Sequence, residues 1–186
     1  MKNYKKNFEI LKKNHVYSEE MEHDACGVGL IASTEGKKSR KVVEYGIEAL
    51  KAVWHRGAVD ADGKTGDGAG IHVEIPKDFF IEKIEVTGHT HDNSEICVGM
   101  IFLPRNDYAA QESCKTIVES ELTKNDFSIY GWRQVPVNPK VLGEKAFQTM
   151  PEIIQVLFKS NNPELLNKDL ERKIYETRRI IENKAF

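Results

Sequence analysis

Cys26 is the residue of this sequence best suited to chemistry, because it stands between a polar, lysine-rich leader and a short apolar run. A thiolate is a strong nucleophile, but a free thiol with a pKa of about 8.5 is only slightly ionised at neutral pH and needs a base. The formal histidine candidates for that base are His23, His55 and His72. If the chain were cleaved before Cys26, its own α-amino group, with a pKa of about 7.7–8.0, would be a base already in reach.

A buried structural thiol is the competing interpretation of Cys26, since that is the commonest role of a free cysteine. Residues 28–32 are apolar and partly β-branched, which predicts a buried strand with Cys26 at its start. Gly27 would let backbone or substrate approach closely there. Cys97 and Cys114 fall in a predicted strand and on the apolar side of a predicted helix, so we interpret both as core thiols.

The segment that invites comparison with phosphate-binding loops is Thr-Gly-Asp-Gly-Ala-Gly at residues 65–70. It lacks the lysine and Ser/Thr of a Walker A loop. It also leads into a predicted strand at residues 71–76, whereas the dinucleotide fingerprint follows a strand and opens a helix. We therefore predict no nucleotide site. The glycines indicate a sharp turn or a close approach, and a tight surface loop would explain them equally well.

Metal, nucleic-acid and membrane binding have little support in the sequence. His89, His91 and Asp92 are formal metal ligands, but their spacing is loose and no second ligand pair is evident, so we predict no metal site. The 27 basic and 29 acidic residues give a net charge of -2, which offers no attraction for nucleic acid. No apolar run is long enough to span a bilayer. Three widely spaced cysteines are typical of free thiols, and we expect a cytoplasmic protein.

Helices and strands in mixed order must position these residues, which predicts a layered α+β domain. Ser39 is a predicted N-cap, Gly131 a predicted bend or bulge, and Phe79 and Phe80 are predicted core anchors. Helices are predicted over residues 39–54, 107–124 and 165–184, with a helical turn at 142–147. Strands are predicted over residues 28–32, 71–76, 96–103 and 127–137, and a last apolar run covers 153–158. Residues 1–25 contain no core-building pattern and are interpreted as a leader or processing segment.

Three motifs, in their order, resemble the class II glutamine amidotransferase domain, in the form found at the N-terminus of the glutamate synthase large subunit. They are Cys-Gly-Val-Gly at residues 26–29, His-Arg-Gly at 55–57 and Thr-Gly-Asp-Gly-Ala-Gly-Ile at 65–71. Shorter family-like segments follow at residues 98–104, 131–137, 142–143, 150–151 and 170–175. The resemblance covers nearly the whole chain from Glu22 onward.

The resemblance implies an N-terminal-nucleophile (Ntn) hydrolase fold, an αββα four-layer sandwich. It implies that residues 1–25 are a propeptide and that residues 26–186 form the N-terminal part of the amidotransferase domain. Cys26 would then attack the side-chain amide of glutamine and release ammonia. By the same resemblance, the residues that support the substrate pocket are Gly27, Arg56, Gly57, Asp67 and Gly68.

The partners implied by the resemblance are glutamine and the synthase domain of a longer polypeptide, where ammonia reacts with 2-oxoglutarate to give glutamate. FMN and an iron–sulfur cluster are implied for that synthase region, and no cofactor is expected within this chain. The family's oxyanion hole uses an Asn-Gly pair, and no Asn-Gly dipeptide occurs in this sequence. Because losing one oxyanion donor costs about a hundred- to thousandfold in rate, we expect a domain incomplete at its C-terminal side, without appreciable glutamine hydrolysis by itself. A catalytically incompetent Ntn-like domain that serves as a binding or assembly module is the alternative.

Overall fold

The computed structural model of this chain describes residues 10, 13, 27–53, 57–66 and 68–185. These residues divide into two compact units. The first unit is Met1–Ala58 with Asp67–Ile71, and the second is Val59–Gly66 with His72–Phe186. Most of the predicted leader lies outside the described residues, although residues 10 and 13 are helical.

The first unit contains helix α1, Arg40–Ala52. Its N-cap is Ser39, whose hydroxyl accepts a hydrogen bond from the Lys41 N–H at 3.2 Å, so the predicted cap is confirmed. The predicted strand at residues 28–32 is wrong, because these residues have no regular secondary structure. Val28 and Leu30 are 96% and 89% exposed. A strand needs a partner for its backbone hydrogen bonds, and no strand pairs with this segment among the described residues.

The second unit is built on a three-stranded antiparallel sheet with the order β1-β3-β2. The strands are β1, Cys97–Leu103; β2, Phe127–Gln134; and β3, Glu152–Ser160. The first two confirm predicted strands, and the third shows that the apolar run at 153–158 is the central strand. The pairing of β2 with β3 shifts register between Ile129 and Gly131, where Gly131 has a φ of 145°, so the predicted bulge is confirmed.

Two long helices cover one face of this sheet, and a shorter helix packs on part of the other face. Helix α2 is Lys77–Val86, α3 is Tyr108–Lys124, α4 is Glu144–Thr149 after a 3-10 turn at Pro139–Val141, and α5 is Asn167–Ala185. Successive side chains of a strand point to opposite faces of the sheet. Val156 and Leu157 of β3 therefore belong to two different apolar clusters, one on each face. The cluster shared with α3 and α5 contains Cys97, Val118, Leu122, Phe127, Val156, Phe158 and Leu170. The cluster shared with α2 contains Phe80, Ile84, Ile96, Tyr130 and Leu157.

Two predictions near α2 need correction. The predicted strand at residues 71–76 has no regular secondary structure, and α2 is a helix that was not predicted from the sequence. Alternation alone does not make a strand without a neighbour to pair with, whereas Pro76 followed by Asp78 in the first turn suits a helix start. Phe80 is buried as predicted, but Phe79 is 38% exposed and is not a core anchor.

The described residues therefore form a mixed α+β architecture with one small antiparallel sheet, as the α+β prediction requires. The helices predicted at 107–124 and 165–184 are confirmed as α3 and α5, and the turn at 142–147 corresponds to α4. Asp107 caps α3 by accepting the Ala110 N–H at 2.9 Å. Within the described part of the chain, every helix is too short or too polar to cross a lipid bilayer.

Candidate active site

The predicted site residues fall into two groups. Cys26, Arg56 and Asp67 lie outside the described residues. The three glycines of the predicted pocket, Gly27, Gly57 and Gly68, are described, exposed and part of the first unit. A side chain added at Gly68 would meet no described atom within 4 Å, so local packing does not require glycine there.

The loop Val59–Gly66 joins the two predicted pocket motifs along the chain. Val59 and Gly66 form an isolated antiparallel bridge, which holds the beginning and end of the loop side by side. Inside the bridge, the Asp60 N–H donates to the Thr65 carbonyl at 2.7 Å and the Gly63 N–H donates to the Asp60 carbonyl at 2.9 Å. Gly63 has a φ of 69°, a left-handed conformation that favours glycine. The loop is therefore closed by its own backbone hydrogen bonds.

Asp62 organises the inside of this loop. Its carboxylate accepts hydrogen bonds from the Thr65 hydroxyl at 2.5 Å, the Thr65 N–H at 2.7 Å and the Lys64 N–H at 2.9 Å. The Thr65 hydroxyl and these two backbone N–H groups hold the pKa of Asp62 well below its usual range. Asp62 is thus a charged structural acceptor at neutral pH, and both of its oxygens accept hydrogen bonds from within the loop.

Two nearby residues of the second unit, Gly143 and Lys145, contact the loop. Lys145 Nζ lies 2.6 Å from Asp60 Oδ2. Gly143 is buried, and a Cβ atom on it would overlap Asp62 Oδ2 together with the backbone nitrogen and hydroxyl of Thr65. We call residues 143–145 the platform. The loop packs so closely against position 143 that only glycine fits there.

The contact between the platform and the loop is not predicted from the sequence. The acidic loop residues are visible in the sequence, but Lys145 is 85 positions away from Asp60. The only available signal was the family-like Leu-Gly pair at residues 142–143, which predicted no contact.

Cys97, in contrast, is no candidate for the nucleophile. It lies in β1, is 4% exposed and packs in the cluster shared with α3 and α5. Burial, followed by the nearby charges of Glu95 and Glu171, raises the pKa of the Cys97 thiol to about 12. The thiol is therefore protonated at neutral pH, which confirms its interpretation as a core thiol. Cys114 is half-buried in α3 and is also free.

The formal metal ligands His89, His91 and Asp92 make other contacts. Asp92 makes an ion pair with Lys159 and accepts the Ser94 hydroxyl at 2.6 Å. Lys159 and then Ser94 hold the pKa of Asp92 well below its usual range. His91 Nε2 lies 3.0 Å from the Ser94 carbonyl, and His89 lines an open cavity of about 560 Å³ instead of joining Asp92. Within the described ranges, no three His, Cys, Asp or Glu side chains are placed to hold a metal ion.

Comparison with known proteins gives a family match over most of the chain. The model of the family "Glutamine amidotransferases class-II" matches residues 26–186. The chain is 52% identical over 179 residues to the large chain of NADPH glutamate synthase from Azospirillum brasilense, covering 96% of this chain and 12% of that protein. It is 39% identical over 175 residues to the ferredoxin-dependent glutamate synthase of Pyropia yezoensis, covering 93% and 11%. The chain thus spans about one eighth of the length of such relatives.

Proposed function

This chain belongs to the class II glutamine amidotransferases, and from that premise we propose that it is the glutaminase portion of a glutamate synthase, with Cys26 as its nucleophile. The observation that carries the proposal is the family match, which begins at Cys26. The order of the Cys-Gly, Arg-Gly and Asp-Gly motifs supports it independently. A catalytically incompetent binding or assembly module is the alternative, and the family match does not favour it.

The proposed reaction begins when the Cys26 thiolate attacks the carbon of the glutamine side-chain amide. The C–N bond breaks, the nitrogen takes up a proton and leaves as ammonia, and a glutamyl thioester remains. Water then hydrolyses the thioester, which yields glutamate and the free thiol. We propose that residues 1–25 are removed as a propeptide, because the α-amino group then freed on Cys26 would be the base that the thiol needs.

We assign supporting roles in the pocket to Gly27, Arg56, Gly57, Asp67 and Gly68. The closed loop Val59–Gly66 supports this assignment, because its terminal bridge pairs the ends of the two segments that carry the later motifs. The exposure of all three described glycines leaves room for a substrate to approach the backbone.

The released ammonia is proposed to feed a synthase domain of the same polypeptide, which makes glutamate from 2-oxoglutarate. The much greater length of the relatives supports a further region of this kind. FMN and an iron–sulfur cluster are proposed for that region. The described residues of this chain do not fit an iron–sulfur cluster, because the Cys97 thiol is buried in an apolar core and only Cys114 remains as a second described thiol.

The αββα four-layer sandwich is proposed as the complete fold of the family domain. Met100 and Phe102 support it, because they lie on the same face of β1 and are 50% and 63% exposed. A second sheet packed on this face would cover both apolar side chains. We propose the cytoplasm as the compartment, because the free thiols Cys97 and Cys114 suit a reducing environment.

Labelling of the full-length protein with an electrophilic glutamine analogue, followed by peptide mass spectrometry, tests the nucleophile. We expect one modified residue, Cys26, and protection by glutamine. Cys26→Ala should abolish glutamine-dependent ammonia release, whereas Cys114→Ser, the matched cysteine control, should leave it unchanged. Glutamine hydrolysis that survives Cys26→Ala would refute the proposal. The intact mass tests the propeptide separately, since processing predicts an N-terminus at Cys26.

A further inference from the structure

We propose that the open cavity beside the start of β2 binds a small oxyanion, either a carboxylate or a phosphate group. The cavity has a volume of about 560 Å³, which is within the range of small-molecule sites. All the residues that line it belong to the second unit. Among the described residues the lining includes one lysine and no acidic side chain, which favours a negatively charged ligand. The proposal goes beyond the glutaminase function and does not depend on it.

Lys159, near the end of β3, supplies the positive charge of the cavity. Its side chain forms an ion pair with Asp92 and is 23% exposed. The hydrogen bond to Asp92 raises the pKa of Lys159, so the ammonium group is charged at neutral pH. An ammonium group carries three N–H donors, and Asp92 engages one of them. The others remain available to a ligand, and salt screens the attraction to this partly buried charge only weakly.

Asp92 holds this lysine from outside the cavity lining. Its carboxylate also accepts hydrogen bonds from the Ser94 hydroxyl at 2.6 Å and from the Tyr130 hydroxyl at 3.3 Å. These bonds fix the carboxylate in place, so it orients the ammonium group of Lys159. Because Lys159 lines the cavity and Asp92 does not, the ion pair presents its positive end to a ligand.

Asn161, which directly follows β3, supplies neutral donors. The Ser128 hydroxyl donates to Asn161 Oδ1 at 2.5 Å, so the amide nitrogen is the group of Asn161 that remains. Its two N–H groups have no hydrogen-bond partner among the described residues. An oxyanion in the cavity would accept hydrogen bonds from this amide and from the Lys159 ammonium, and such charge-assisted bonds are stronger than neutral ones.

His89 is the third polar group of the lining, and its hydrogen bond defines its tautomer. The Thr87 hydroxyl donates to the Ile84 carbonyl at 2.6 Å, so it accepts from His89 Nδ1, which lies 3.1 Å away. Nδ1 therefore carries the hydrogen of the neutral ring, and Nε2 has no hydrogen-bond partner among the described residues. In a protonated ring Nε2 becomes a donor, which a neighbouring anion favours.

Labelling of His89 by diethyl pyrocarbonate, which modifies an unprotonated imidazole nitrogen, reports whether the cavity is occupied. The full-length protein is labelled in increasing inorganic phosphate or succinate, at constant pH and with the ionic strength held by sodium chloride. Peptide mass spectrometry gives the rate at each histidine. At about ten times Kd only about one tenth of the sites are free, so His89 should be labelled about tenfold more slowly. His72, an exposed histidine outside the lining, is the internal control, and its rate should stay constant.

Asn161→Asp tests the site without removing a structural contact, because an aspartate keeps the oxygen that accepts the Ser128 hydroxyl. The new carboxylate would lie beside the bound anion, so we expect Kd to rise by about tenfold or more. Asn138→Asp is the matched control, since it makes the same exchange at an exposed residue outside the lining and should leave Kd unchanged. Lys159→Gln removes the positive charge and should raise Kd by about tenfold.

Saturable protection of His89 by phosphate alone, by succinate alone or by both supports the proposal and identifies the oxyanion that the cavity takes. The proposal is overturned if neither compound protects His89, or if protection is equally strong in wild type and Asn161→Asp. If Lys159→Gln does not fold, the comparison of Asn161→Asp with Asn138→Asp decides the matter. Glutamine hydrolysis is not part of this measurement, so a failure of the proposed function would be seen separately.

Discussion

The close approach of Val156 to Gly99 inside the sheet makes Gly99 an informative position for a stability measurement. Gly99 of β1 pairs with Val156 of β3, and a Cβ atom at position 99 would lie 2.7 Å from Val156 Cγ1. Val156 is 2% exposed and packed in the cluster shared with α3 and α5, so its methyl group has little room to move. Gly99→Ala therefore overpacks the core, and Val156→Ala removes the methyl group that causes the clash.

The magnitudes follow from packing energetics. Overpacking lowers the free energy of unfolding by about 1–3 kcal/mol. Alanine also reduces the entropy of the unfolded chain, which raises the free energy of unfolding by about 0.4–1 kcal/mol. We therefore expect Gly99→Ala to destabilise the protein by about 1.5 kcal/mol. Val156→Ala removes two buried methyl groups worth about 0.8 kcal/mol each and leaves a cavity, a total of about 2.5 kcal/mol. In the double variant the new methyl group enters the vacated space. We expect the double variant to lose about 2 kcal/mol of unfolding free energy, which is at least about 1 kcal/mol less than the sum of the losses in the two single variants.

Urea unfolding of the four proteins, followed by circular dichroism, measures this coupling. The slope m should be equal in all four, which would show that the midpoints report stability alone. The reasoning is refuted if the two single effects add within about 0.5 kcal/mol in the double variant, because the clash between the two side chains would then not exist.

Two further predictions concern ionisable groups. The carboxylate of Glu121 accepts from Lys184 at 2.7 Å and Lys124 at 2.9 Å, and these bonds lower its pKa. A lowered pKa in the folded state adds stability that is present above the unfolded pKa and lost as pH falls through the folded value. The urea midpoint of Glu121→Gln should therefore be lower than wild type at pH 7, and the difference should shrink on acidification; a constant difference would contradict this. Cys97, whose pKa burial raises to about 12, should react with a disulfide reagent at pH 8 only after unfolding, and rapid labelling in the native protein would contradict its burial.

The elements that were predicted correctly are those with local signals. Ser39 and Asp107 cap α1 and α3 with their own side chains, and a cap is decided within about four residues of the chain. The apolar run of β1, Cys97–Leu103, is a local signal that predicts a strand equally well. Residues 28–32 and 71–76 look similar in composition, but their backbones have no partner strand among the described residues. A strand is a property of two segments, so composition alone did not separate the true strands from the false ones.

The sequence by itself determined the family to which this chain belongs. That membership, and the proposal that Cys26 is the nucleophile, depend on residue types in a given order, and that order is read directly along the chain. Only the tertiary structure decided that Cys97 is a protonated core thiol and that Gly143 and Lys145 contact the loop Val59–Gly66. The physical reason is that burial and contact depend on distance in space. Asp60 and Lys145 meet at 2.6 Å although 85 positions separate them in the chain.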